Sequence, residues 1–157
     1  MTRQLGPQLS INYSPEFELC LTCVRAQEYQ AAGFVEYRFE TKCRFRHPTG
    51  YFEYFAGDLC FDPGGFAHFS EELHNMRQGT TDHAALKNVG DMLVLQLDRT
   101  GRKLRLKISV REYLPPDELG SLSVAVDVDY DLFVNKLPQE VEEFLVDLRS
   151  MEAEKLS

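Results

Sequence analysis

The chain has 157 residues, 43% of them hydrophobic and 27% charged. That is one globular domain, 1–157, long enough to bury about 68–70% of its unfolded surface without a metal or disulfide staple. Seventeen Lys and Arg against 25 Asp and Glu leave a net charge of −8, which removes the attraction that nucleic-acid binders and anionic-membrane binders depend on and leaves a basic protein as the expected partner.

Residues 1–15 are polar, contain Pro7 and Pro15, and read as an irregular lead-in with a short strand near Leu9–Tyr13. Residues 17–29 form the next strand, with Phe17, Leu19, Leu21 and Cys23 on one face. After a break at Ala31-Ala32-Gly33, Val35, Tyr37, Phe39, Thr41, Cys43 and Phe45 alternate with Glu36, Arg38, Glu40, Lys42 and Arg44. One apolar face and one face of mixed charge mark a half-buried antiparallel strand. His47-Pro48-Thr49-Gly50 turns the chain, and residues 51–61 pair back on that strand.

Asp62-Pro63 opens a helix, because Asp accepts orphan amide hydrogens and proline tolerates the first helical position. Phe66, Phe69, Leu73 and Met76 give it one apolar stripe, and Gly79 ends it. A short strand, His83–Lys87, follows. Leu93, Leu95 and Leu97 lead to a hairpin turn at 98–102, and Leu104, Leu106, Ile108 and Val110 return with Lys103, Arg105, Lys107 and Arg111 outward. Beyond a loop at Pro115-Pro116-Asp117, Leu122, Val124, Val126 and Val128 point inward and Ser123, Ala125, Asp127 and Asp129 outward. Val141, Phe144, Leu145 and Leu148 make a C-terminal helix from Pro138, and 131–137 reads as an extra helical turn that Pro138 kinks.

The expected fold is α+β: a curved antiparallel sheet or partly open sandwich of six to eight strands, with one internal helix and one C-terminal helix. The sequence shows no internal repeat. With no apolar signal segment and no run of about 18 apolar residues, the expected location is the cytosol. There thiols stay reduced, so Cys20, Cys23, Cys43 and Cys60 are read as buried, inert thiols. Cys20 and Cys23 stand three apart on a strand, hence on opposite faces, and cannot share an ion. His68 and His74, six apart on one helix, share no face, and His47 and His83 lie elsewhere. Neither a nucleophile elbow nor a phosphate-cradling loop is present. No catalytic residue, metal site or cofactor is therefore expected. The alternative is an enzyme or small-ligand domain with a pocket between sheet and helices, with Asp58 or Asp62 and His68 near its mouth.

Charge is uneven along the chain. Residues 1–60 hold seven acidic and six basic residues, whereas 61–157 hold 18 and 11. The candidate partner-binding residues are Asp127, Asp129 and Asp131, which period two places on one face, with Glu140, Glu142, Glu143 and Asp147. Cross-strand pairing with Lys103, Arg105, Lys107 and Arg111 is an equal reading for the three aspartates. The terminal-helix acids have no such neighbours in sequence.

The second half also has a familiar succession. Phe69-Ser70-Glu71-Glu72-Leu73 on a helix is followed by Ala84-Ala85-Leu86, then by Gly90-Asp91-Met92-Leu93-Val94-Leu95-Gln96-Leu97 and a turn at Gly101. Leu104-Arg105-Leu106-Lys107-Ile108-Ser109-Val110, Leu122–Val128 and a closing helix complete it. Over roughly residues 57–148 this resembles the small bacterial WapI-like immunity proteins, although the tryptophan associated with their strands is missing. The resemblance implies a cytosolic, non-enzymatic inhibitor of a contact-delivered toxin domain, of nuclease type, and carries over no residue roles.

Overall fold

The computed structural model describes residues 6–29, 33–114 and 118–156. Four strands come first: β1 (Gln8–Ser14), β2 (Phe17–Tyr29), β3 (Phe34–His47) and β4 (Gly50–Phe61). Helix α1 (Pro63–Gln78) follows, then β5 (His83–Lys87), β6 (Leu93–Thr100), β7 (Lys103–Leu114) and β8 (Glu118–Val128). A π-helical turn, Leu132–Lys136, runs into α2 (Leu137–Leu156). The strands form two separate antiparallel sheets, each with its four strands side by side in chain order. The protein is thus α+β, with eight strands, one internal helix and one C-terminal helix. Four strands and a helix occur twice in succession, a duplication of architecture with no matching repeat of residues.

Local chemistry explains most of these elements. Asp62 caps α1, its carboxylate accepting the Gly64 N–H at 3.1 Å. Gly79 closes the helix with φ 79°, and its N–H reaches back to α1 carbonyls. Besides an irregularity on β1 between Ile11 and Ser14, two bulges adjust the pairing of β2, β3 and β4. Val24 is an extra residue between Cys23↔Phe39 and Arg25↔Arg38, so that Ala26 rather than Arg25 turns inward. Opposite Glu40, β4 carries the extra residue between Ala56 and Leu59. Buried Asn88 shapes the β5–β6 connection: its side-chain oxygen accepts the Leu93 N–H at 2.7 Å and its amide donates to the Val89 carbonyl at 3.1 Å.

The inward faces of both sheets and the apolar stripes of both helices form one continuous core. At its centre Phe39 of β3 meets Phe61 of β4 at 5.3 Å, Phe66 of α1 at 5.8 Å and Phe144 of α2 at 6.0 Å between ring centroids. Tyr130 ties the C-terminal segment to α1 by donating to the Met76 carbonyl at 3.2 Å. In a regular α-helix the Pro138 ring would collide with the Val134 carbonyl. The wider π turn over Leu132–Lys136 stands where that collision would occur, so the helix continues through Pro138.

Candidate interaction surface

The seven acids singled out by sequence do not act as one group. Asp127 lies on β8, across from Arg105 of β7, and Arg105 also faces Asp98 of β6. Asp129 and Asp131 do not continue that row. The strand ends at Val128, and the Asp129 carboxylate accepts the Leu132 N–H at 3.1 Å, as a residue before a helix does. Asp131 is exposed in the first helical turn. The alignment expected from alternation fails because the chain changes period at this point.

On α2 the acids divide by what they touch. Glu140 accepts the Tyr13 hydroxyl and pairs with Lys136 at 3.8 Å, while the Lys136 ammonium lies 5.0 Å from the Tyr13 ring centroid. That cluster fastens α2 to β1, and burial together with Glu140 pushes the Tyr13 hydroxyl pKa up. Glu142 accepts from Ser70 at 3.3 Å and contacts His74 at 2.8 Å, joining α2 to α1. Serine and histidine both meet the same carboxylate oxygen, so the histidine is not placed between acid and hydroxyl as a nucleophile relay requires. Glu143 takes the Gln139 amide at 3.1 Å and remains exposed. Asp147 is exposed, and beside it Val146 is 59% exposed. Asp131, Glu143 and Asp147 are thus the solvent-facing acids of the set that hold no second element in place.

The sheets carry a different charge pattern. On the outward face of β7, Lys103, Arg105, Lys107 and Arg111 stand among Gln96, Ser109, Ser123 and Ala125. Outward on the first sheet, Glu18, Glu40 and Glu53 interleave with Lys42, Arg44 and Arg46. Residues 93–128 contain six basic and five acidic residues, whereas 129–156 contain eight acidic and three basic. The C-terminal segment therefore accounts for five of the eight net negative charges.

A cavity of about 580 Å³ opens where β3 and β4 meet the β5–β6 connection, lined by Val35, Glu36, Arg38, Cys60, Phe61, Asp62 and Val89. The Arg38 guanidinium pairs with Glu36, but its buried Nε has no hydrogen-bond partner, the Asp58 carboxylate lying 3.9 Å away. Burial and a hydrogen bond to Glu36 raise the Cys60 thiol pKa, so the group stays protonated near neutrality. Of the residues named from sequence for a pocket mouth, Asp62 lines this cavity; His68 instead pairs with Glu72 at 3.2 Å on α1. Val89 and Arg38 were not singled out by sequence, and only the structure brings them together.

None of the four cysteines is in a disulfide; Cys23 and Cys43 are buried as expected, whereas Cys20 and Cys60, toward the sheet's outer face, are only half-buried. Among the described residues no group of three or more His, Cys, Asp or Glu is placed to hold a metal ion. No described helix is long and apolar enough to cross a membrane. No protein-family model matches the chain, and no curated protein matches it. Among solved structures, a chain from the crystal structures of Trypanosoma brucei MRP1/MRP2 aligns with 93% of this chain and 90% of its own length. The identity is 13% and the TM-score 0.42, a likeness too distant to bear on function.

Proposed function

We propose that this is a non-enzymatic protein that binds a basic protein partner through the exposed acids of its C-terminal segment. The observation that carries this reading is the segregation of charge: most of the net negative charge lies in 129–156, while the β6–β8 stretch is nearly balanced. Asp131, Glu143 and Asp147 are exposed there, and Val146, adjoining Asp147 in the chain, is exposed as well. Such a patch steers a cationic partner and fixes its orientation, and an apolar residue among the acids gives the contact something to bury. The resemblance to WapI-like immunity proteins supplies the kind of partner, a toxin domain neutralised in the cytosol. The test is to purify the protein with the product of the reading frame next to its own gene and titrate one into the other. Asp131→Lys combined with Asp147→Lys is expected to weaken the complex roughly tenfold or more. Absence of a complex, or equal affinity of the variant, would overturn the reading.

The cavity favours a second reading, a small-ligand site. Its volume falls in the range of about 300–1,000 Å³ typical of such sites, and the guanidinium of Arg38 on its wall is the kind of donor that a ligand carbonyl or carboxylate takes. Amide chemical shifts recorded with a set of small carboxylic acids and amides would test it. Saturable shifts confined to Val35, Arg38, Cys60 and Val89 support the site; shifts scattered over the surface rule it out.

A further inference from the structure

The two sheets have four edges, and they are not equally protected. β1 has seven residues and loses register between Ile11 and Ser14; β5 has five residues. β4 is long, but its bulge at 57–58 interrupts the edge, and Glu53 and Asp58 add charge. Short length, bulges and charged side chains are the devices that keep a sheet edge from pairing with another strand. β8 is neither short nor bulged, and its two charges, Glu118 and Asp127, stand near its ends. It pairs with β7 from Glu118 to Val128 without a shift in register, contains no proline, and has no charged side chain between Glu118 and Asp127. Its other side has no strand partner among the described residues.

The inward side chains of β8 point the same way. On β7 the inward row is closed from solvent, with Leu104 and Leu106 at 0% and Ile108 at 1% exposure. On β8 the matching row stays open: Leu122 is 45% exposed, and Val124, Val126 and Val128 are only half-buried. A half-covered apolar row therefore lies beside a strand edge that no described strand pairs.

We propose that a second copy of this chain pairs at this edge, β8 against β8, antiparallel about a twofold axis centred on Val124. The two four-stranded sheets then become one of eight strands. In this register Leu122 stands opposite Val126, Val124 opposite its own equivalent, and Asp127 opposite Ser121, so apolar residues meet and no like charges face each other. Centring the axis on Asp127 would set two carboxylates against each other. Ser121 neighbours Arg111 on β7, so each Asp127 comes within two strand spacings, roughly 10 Å between Cα atoms, of the partner's Arg111. Ser121, Ser123 and Ala125 are small enough to leave the outward face of the joint flat. This pairing uses residues distinct from the acids of α2 and does not rest on the function proposed above.

The test is the molar mass of the full chain in solution by light scattering, over protein concentrations from about 1 to about 100 μM. The wild-type chain is expected to show twice its single-chain mass at the upper end. Leu122→Lys, which places a charge at an already exposed position, is expected to give the single-chain mass with an unchanged circular dichroism spectrum. Val124→Cys supplies the second measurement. Under mild oxidation it should form a linked dimer, because only residues near the axis meet their own equivalents, whereas Ser109→Cys on β7 should not. A single-chain mass throughout, a dimer that survives Leu122→Lys, or equal cross-linking of the two cysteine variants would overturn the proposal. Binding of a different protein's strand to a chain that never self-associates would do the same.

Discussion

Cys43 points inward on β3, between Leu19 of β2 and Tyr54 of β4. Burial pushes its thiol from an ordinary 9.0 up to about 12, since the thiolate would lose its hydration without gaining a partner. A thiol whose pKa is higher in the folded state stays protonated there while the unfolded chain releases its proton. Its contribution to stability is therefore complete below about 9 and is lost as pH rises toward 12. Urea unfolding at pH 8 through 10 should show falling stability in the wild-type chain and a shallower fall in Cys43→Ala, whatever the offset between them. Parallel slopes would contradict the account of this residue. Its character was legible from its place in an alternating run. The tie between Glu140 and Tyr13, which lie 127 positions apart, was not: an exposed-looking acid and a lead-in tyrosine carry no mutual signal in sequence.

At the scale of elements, α1 was legible almost to the residue because cap, stripe and stop all agree. Asp62→Ala should cost about 1 kcal/mol of stability in denaturant unfolding, the usual worth of a cap that satisfies a helix amide. A change below a few tenths would show that the Gly64 bond contributes little. The junction of β8 and α2 was harder to read. Val124-Ala125-Val126-Asp127-Val128-Asp129 alternates to its end, and an aspartate suits both an outward strand position and the start of a helix. What decides the matter is tertiary: Phe133 and Val134 are fully buried and Tyr130 bonds to α1. Bulges are illegible for a related reason. Val24 interrupts no pattern of its own, and its role follows from where β3 places Phe39 and Arg38.

Across the chain, counting charges along the sequence already placed the negative excess in the second half and among the terminal-helix acids. What the fold adds is a basic row along β7. Two members of the acidic set, Glu140 and Glu142, serve to dock α2 against β1 and α1. The surface available to a partner is correspondingly smaller than the sequence implied, and its exposed acids, Asp131, Glu143 and Asp147, come from the last helical segment. The repeated order of four strands and a helix was legible in the succession of predicted elements, although the two halves share no pattern of residues.

The proposed capture of a cationic protein by these exposed acids can be read from the association rate with the product of the adjacent reading frame, measured as salt is raised from about 50 to about 500 mM. Electrostatic capture predicts a rate that falls by roughly tenfold or more for the wild-type chain and changes little for Asp131→Lys with Asp147→Lys. A rate indifferent to salt, or an equally steep fall in both proteins, would contradict it.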